Sequence, residues 1–85
     1  MVAVRMYATV ACPFCTMAER MLVSKGVTDI VKIRIDLDAS ARAEMIQRTG
    51  QRTVPQIYIG EMYIGGYREL AALYHSGKFE ELLGV

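Results

Sequence analysis

The segment that most restricts the fold is an apolar strand that leads into two cysteines and then into a helix. Residues 2–8 are rich in Val, Met and Tyr and predict a short buried strand. The run Cys12-Pro13-Phe14-Cys15 follows it. Pro13 suits the first turn of a helix, where no backbone N–H is needed, and apolar residues then recur at helical spacing. The first helix is therefore predicted to begin at the cysteines and to cover about Phe14–Lys25.

The remaining elements complete the order β-α-β-α-β-β-α, with one more short helix at the end. They are predicted as strands at 30–36, 56–59 and 62–64 and helices at 39–49, 68–76 and 79–83. A strand–helix–strand start favours parallel pairing, and the later hairpin adds antiparallel strands to the same sheet. We therefore expect an α/β fold with a four-stranded mixed sheet flanked by helices, formed as a single domain over residues 1–85.

The number and position of the cysteines favour a chemically reactive pair over a structural disulfide. Both cysteines of the chain lie in one tetrapeptide, whereas a secreted scaffold would carry more of them, spread along the chain. A bridge across two residues closes too small a loop to restrain the unfolded chain much. The sequence also shows no evident signal peptide and no apolar run near the ~20 residues that span a bilayer. These features predict a cytoplasmic protein without a membrane partner.

The place of Cys12 at a helix start explains why its thiol should be reactive. The thiolate is the nucleophile in disulfide exchange, and a free thiol with a pKa of about 8.5 is mostly protonated at neutral pH. Unpaired N–H groups and the positive end of the helix dipole favour negative charge at a helix N-terminus. Cys15 lies one turn further on, close enough to attack a mixed disulfide formed at Cys12. The pair therefore predicts a thiol–disulfide oxidoreductase.

Other functions of the same residues fit less well. Structural zinc normally needs four ligands, and this chain offers two cysteines and only His75, far along the sequence. We expect no metal and no bound cofactor. A net charge of +1 argues against a strongly basic nucleic-acid binder. A purely structural role for two small buried cysteines is disfavoured by their position at a helix start.

Two further segments are ambiguous when each is taken alone. Thr53-Val54-Pro55 precedes a strand, where a proline is either a strand-edge residue or a cis proline in a tight bend. Gly65-Gly66-Tyr67 precedes a helix, where glycines allow a ligand close to the backbone and the helix N-terminus can hold a carboxylate. When each segment is taken alone, an ordinary strand start and an ordinary turn are the favoured explanations.

Together and in this order, the three segments resemble the glutaredoxins over nearly the whole chain. Cys12-Pro13-Phe14-Cys15 is similar to the family's C-P-[YF]-C, residues 52–60 resemble its R-T-V-P-x-I-[FY]-I block, and residues 64–70 resemble its I-G-G-x-x-[DE]-L block. The resemblance implies a thioredoxin-like fold. It also implies glutathione as co-substrate and partner, and disulfide-containing or glutathionylated proteins as substrates.

The resemblance also implies roles for individual residues. Cys12 would be the nucleophile, and Cys15 or glutathione would resolve the mixed disulfide. The backbone of Val54 would pair with the cysteinyl unit of glutathione. Gly66, Tyr67 and Arg68 would hold its γ-glutamyl end, largely through backbone N–H groups. The implied glutathione-binding set is Thr53, Val54, Pro55, Gly66, Tyr67, Arg68 and Glu69, with Tyr7 as an aromatic residue near the active site.

Two positions depart from the family pattern. Thr9 stands where relatives often have lysine, so Arg42 is our candidate for the glycyl carboxylate, with a solvated helix face as the equal alternative. Arg68 stands where many relatives have Asp, Ser or Thr. Arg68 could pair with the γ-glutamyl carboxylate, and Glu69 could accept a bond from the ammonium group.

The function implied is that of a monomeric dithiol glutaredoxin, which reduces protein disulfides and glutathione mixed disulfides. One alternative keeps the fold and changes the reductant to thioredoxin reductase, with ribonucleotide reductase as the protein served. Another is a carrier of an iron–sulfur cluster that bridges two chains through Cys12 and glutathione. Pro13 argues against the cluster carrier, because cluster-binding relatives usually have a less rigid motif.

Overall fold

The computed structural model describes residues 3–83, which form a four-stranded sheet with helices on both faces. The elements are β1 (Val4–Ala8), α1 (Pro13–Ser24), β2 (Ile30–Arg34), α2 (Ala39–Thr49), β3 (Gln56–Ile59), β4 (Met62–Gly65), α3 (Tyr67–Ser76) and α4 (Phe79–Leu83). The strand order in the sheet is β2-β1-β3-β4. β1 pairs parallel with β2 and antiparallel with β3, and β3 and β4 form an antiparallel hairpin. The predicted mixed sheet is thereby confirmed.

Several predicted boundaries move by one or two residues. The second strand was expected to reach Asp36 but ends at Arg34, because the chain turns there and the Leu37 N–H donates to the Arg34 carbonyl. α1 includes Pro13 and ends at Ser24, and α3 begins at Tyr67. Val2, expected in the first strand, lies outside the described residues.

The central strand β1 supplies side chains to a core on each face of the sheet. Val4, Met6 and Ala8 pack with buried residues of α1, α3 and α4. Tyr7 lies on the opposite face with Met45 of α2. This alternation follows from the period of two in a strand, and it places α2 on the face opposite the other helices. Within residues 3–83, no helix is both long enough and apolar enough to cross a membrane.

Candidate active site

The two cysteines lie at the start of α1, after the short loop that follows β1. Cys12 is the N-cap of α1, with extended backbone angles (φ −134°, ψ 98°), and Pro13 occupies the first helical position. Cys12 and Cys15 form a disulfide, with their Cα atoms 5.2 Å apart. The backbone N–H of Cys15 donates to Cys12 Sγ over 3.1 Å. The sulfur of Cys12 therefore takes the place of a capping oxygen, where a negative charge is stabilised.

The two sulfurs differ in their access to solvent. The side chain of Cys15 is only 5% exposed and packs in the core beside Ala18 and Leu22. Cys12 is half-buried at the edge of the same core. A disulfide from another molecule can therefore reach Cys12 more easily than Cys15.

A loop from the other half of the chain faces Cys12. The Val54–Pro55 peptide bond in this loop is cis, which agrees with one of the two expectations for Pro55. The carbonyl oxygen of Val54 lies 3.8 Å from Cys12 Sγ. In the reduced protein, the Cys12 thiol can donate to this carbonyl, whereas the thiolate can accept from the N–H of Cys15. The sulfur thus lies between one group that favours the thiol and one that favours the thiolate.

A buried polar side chain supports this loop, and the sequence did not single it out. Gln56 is 3% exposed, and its Nε2 donates to the Thr53 carbonyl over 3.0 Å. Its Oε1 accepts a hydrogen bond from the Tyr63 hydroxyl on β4. The available signal was one amide at the start of the otherwise apolar strand Gln56–Ile59. Buried amides are normally fully hydrogen-bonded, so such a residue marks a polar network.

The glycine pair permits two close approaches within the protein. Gly65 has a φ of +117°, and a Cβ there would lie 2.8 Å from Glu69 Oε1. A Cβ on Gly66 would lie 3.3 Å from the Pro55 carbonyl oxygen. The pair was expected to allow a ligand close to the backbone. The groups that approach it in the structure are Glu69 and the loop that carries Pro55.

Glu69 occupies part of the N-terminus of α3. Its Oε1 accepts a hydrogen bond from the Gly66 N–H over 2.8 Å. The Gly66 N–H is therefore engaged by the protein itself, although the family resemblance implied that it would hold the γ-glutamyl group. The N–H groups of Tyr67 and Arg68 belong to the first turn of α3, where backbone donors have no partner inside the helix.

An open groove with a volume of about 920 Å³ runs between α1, the Val54–Pro55 loop and the start of α3. It brings together most of the predicted glutathione-binding residues, namely Thr53, Val54, Pro55, Gly66, Tyr67, Arg68 and Glu69. Phe14, Gln56 and Tyr63 also line it, and the Phe14 and Tyr67 rings lie 5.6 Å apart between centroids. A groove of this size can hold a tripeptide.

The structure does not bring Tyr7 or Arg42 into this groove. Tyr7 is 2% exposed, packs under α2 and donates from its hydroxyl to Glu44 Oε1 over 2.6 Å. Arg42 is exposed on the first turn of α2. Their assignment to glutathione binding stays a prediction that no contact in the groove supports. Residues 3–83 also contain no group of three or more His, Cys, Asp or Glu side chains that could hold a metal ion.

The environment of Tyr7 predicts how stability responds to alkaline pH. Burial, followed by the hydrogen bond to Glu44, raises the pKa of Tyr7 to about 12. An unfolded tyrosine has a pKa of about 10, so the folded state keeps this proton longer. The stabilisation is complete below about pH 10 and is lost as the pH rises towards about 12.

The Tyr7→Phe variant should therefore lose less stability than the wild type between about pH 10 and 12. Urea unfolding at several pH values measures this difference. Near neutral pH, the variant should be about 1 kcal/mol less stable, because one hydrogen bond is lost. If the free energy of unfolding fell equally steeply with pH in both proteins above about pH 10, the raised pKa would not belong to Tyr7.

Comparisons with known proteins find relatives that belong to one family. A family model described as Glutaredoxin matches residues 4–64. A glutaredoxin of Neisseria meningitidis serogroup A is 48% identical over 83 residues, which cover 98% of each chain. Glutaredoxin 3 of Escherichia coli K12 is 43% identical over 83 residues, covering 98% of this chain and 99% of the other.

Solved structures of glutaredoxins share the whole fold. The solution structure of glutaredoxin from Brucella melitensis matches with a TM-score of 0.85 and 40% identity, over 98% of this chain and 89% of that one. A crystal structure of a buckwheat glutaredoxin–glutathione complex matches with a TM-score of 0.87 and 26% identity, over 95% and 76% of the chains. The expected thioredoxin-like fold is confirmed.

Proposed function

The chain belongs to the glutaredoxin family, whose members are thiol–disulfide oxidoreductases, and we propose that this one uses glutathione as its reductant. Its substrates are protein disulfides and mixed disulfides between glutathione and proteins. The observation that carries the proposal is the groove beside Cys12, lined by a peptide backbone, a helix N-terminus and the exposed Arg68. The reaction belongs in a reducing, cytoplasmic setting and needs only one copy of the chain.

The geometry supports a two-step exchange. The Cys12 thiolate attacks one sulfur of a substrate disulfide, forms a mixed disulfide and releases the other sulfur as a thiol after protonation. With a protein disulfide, the Cys15 thiol loses its proton and attacks Cys12 Sγ, which produces the Cys12–Cys15 disulfide and releases the second substrate thiol. Two glutathione molecules then reduce this disulfide and leave as glutathione disulfide. The N–H of Cys15 stabilises the charge on Cys12 in the first step.

With a glutathione mixed disulfide, the second cysteine is not needed. Cys12 takes over the glutathionyl group and releases the protein thiol, and a second glutathione thiolate attacks the glutathionyl sulfur. The products are free Cys12 and glutathione disulfide. The partly exposed position of Cys12 allows both attacks, since each must approach in line with a disulfide bond.

Glutathione matches the groove in charge as well as in size. It carries two carboxylates and one ammonium group. The first-turn N–H groups of α3 and the cationic side chain of Arg68 suit a carboxylate, and the Glu69 carboxylate suits the ammonium group. The buckwheat relative is described in complex with glutathione, which supports the same partner for this chain.

Arg68 should contribute measurably to this binding. We expect Arg68→Ala to raise KM for a glutathionylated peptide about three- to tenfold, because a charge-assisted contact is lost. The effect should shrink as salt is added. Steady-state kinetics at several ionic strengths measure both changes. Arg20→Ala, which removes another exposed arginine, from α1, is the matched control.

Arg42→Ala tests the separate prediction that Arg42 binds the glycyl carboxylate, in the same assay. A larger rise in KM from Arg42→Ala than from Arg68→Ala would show that the arginine on α2 contributes more to binding. That result would contradict the proposal that glutathione is held mainly in the groove. The order expected from the structure is Arg68 first, because Arg68 lines the groove and Arg42 does not.

The direct test of the proposed function is turnover of a glutathionylated peptide by the purified protein, with glutathione as reductant. Absence of turnover with both cysteines reduced would defeat the proposal. Comparing reduction of the oxidised protein by glutathione and by thioredoxin reductase separates the proposal from the alternative electron donor.

A further inference from the structure

We propose that Gln56 is a positioning residue, which holds the Val54 peptide against the Cys12 sulfur and so sets how readily Cys12 ionises. The inference deepens the proposed function and rests on it where glutathione binding is concerned. It stands independently where the ionisation of Cys12 is concerned. Gln56 itself touches no reacting atom and acts only through the loop that precedes it.

The first support is the direction of the hydrogen bonds. Gln56 Nε2 donates to the Thr53 carbonyl over 3.0 Å, with the Thr53 hydroxyl oxygen 3.5 Å away. This pulls the Thr53 carbonyl towards the buried amide. Since only two backbone dihedrals separate consecutive peptide planes, fixing the Thr53 carbonyl restricts the Val54 carbonyl that follows it. That second carbonyl is the one that lies 3.8 Å from Cys12 Sγ.

The second support is that the Gln56 amide is itself held from the other side. Its Oε1 accepts from the Tyr63 hydroxyl, and the Tyr63 ring packs on Tyr58 with 5.2 Å between centroids. A tyrosine hydroxyl has a pKa of about 10 and is protonated at neutral pH, so Tyr63 is available as the donor. Burial and the neighbouring Tyr58 and Glu69 raise the pKa of Tyr63 further. The amide cannot turn over without losing hydrogen bonds at both ends, which is costly for a buried group.

The consequence for Cys12 follows from the sign of the carbonyl dipole. The negative end of the Val54 carbonyl faces Cys12 Sγ, so it favours the thiol and opposes the thiolate. The N–H of Cys15 acts in the opposite direction on the same atom. The position of the loop therefore sets the balance between the Val54 carbonyl and the Cys15 N–H. If the loop is released, the carbonyl no longer opposes the thiolate, and Cys12 should ionise at lower pH.

The test is the pH profile of Cys12 alkylation by iodoacetamide in a Cys15→Ser background. Gln56→Met keeps the size of the side chain but removes both hydrogen bonds. We expect the midpoint of the profile to move to lower pH by roughly half a unit to one unit, the size of one net hydrogen bond. Tyr63→Phe removes only the support behind the amide, and it should shift the midpoint in the same direction by less.

Ile59→Val is the matched control, because Ile59 is buried on the same strand but pairs with Val4 and Met62 at its far end. It should destabilise the protein without moving the midpoint. An unchanged midpoint in folded Gln56→Met would overturn the inference, as would an equal shift in Ile59→Val. If Gln56→Met fails to fold, the comparison of Tyr63→Phe with Ile59→Val decides in the same way.

Kinetics with a glutathionylated peptide keep this inference separate from the proposed function. If glutathione binds along the Val54 peptide, Gln56→Met should raise KM about three- to tenfold and change kcat less. Absence of turnover by the wild type would defeat the glutathione proposal, and the alkylation profile would still decide the role of Gln56.

Discussion

Replacing Cys12 with serine should abolish turnover of glutathionylated peptides, with a loss of at least about a thousandfold, as expected when a nucleophile is removed. A serine hydroxyl at the same N-cap position can accept the Cys15 N–H but stays protonated near neutral pH and forms no disulfide. The fold should survive, because serine is among the preferred N-cap residues. Steady-state kinetics and an unfolding curve of the variant measure both expectations.

Cys15→Ser is the matched variant, since it removes the other sulfur of the same pair. It should still turn over glutathionylated peptides, because a second glutathione completes that reaction. It should no longer reduce protein disulfides, because that reaction requires the Cys12–Cys15 bond. Mass spectrometry of Cys15→Ser should show one glutathione attached at Cys12. An active Cys12→Ser variant, or glutathione attached elsewhere in Cys15→Ser, would contradict the assignment of the nucleophile.

Gly65→Ala should destabilise the protein by about 2–4 kcal/mol, which combines left-handed backbone strain with overpacking. Gly65 has a φ of +117°, and an added Cβ would lie 2.8–3.0 Å from three atoms of the Glu69 side chain. The melting temperature should fall by roughly 4–8 °C per kcal/mol in a domain of this size. Urea unfolding gives the free energy directly.

Gly77→Ala separates the two causes. Gly77 also has a positive φ, +80°, but a Cβ there would meet nothing within 4 Å. This variant should cost only the backbone strain, about 1–2 kcal/mol. The difference between the two variants measures the contact with Glu69. Equal losses of stability would show that Glu69 moves away freely and that only the backbone angle requires glycine at position 65.

Gly65→Ala should also affect the site, because the added methyl group displaces the Glu69 carboxylate from the Gly66 N–H. A higher KM for glutathionylated peptides is expected, whereas Gly77→Ala should leave KM unchanged. Glu69 was expected from the sequence only as a partner for an ammonium group. The structure shows that Glu69 also caps α3 by accepting from the Gly66 N–H. In this position the Glu69 side chain lies against Gly65, which leaves no room there for a Cβ.

Not all of the predicted glutathione-binding residues line the groove. The groove contains seven of the residues that the family resemblance implied, because those residues lie in two short motifs that meet at one end of the sheet. Tyr7 and Arg42 lie outside those motifs, and their sequence positions carried no information on which face of the sheet they occupy. Tyr7 packs under α2 and Arg42 is exposed on α2, and neither residue lines the groove.

The order of the elements and the start of α1 directly after Cys12 could be predicted from local sequence. The element order and the helix start depend on local properties of the chain. These properties are the apolar periodicity, the proline at the first helical position and the unpaired N–H groups of the first helical turn. The groups that face the Cys12 sulfur could not be predicted in this way, because they come from distant parts of the chain. The Val54 carbonyl comes from 42 residues away, and the Gln56 amide that supports it is buried by the pairing of β3 with β1 and β4. Such contacts arise from packing, because no local pattern determines which loop meets a given helix end.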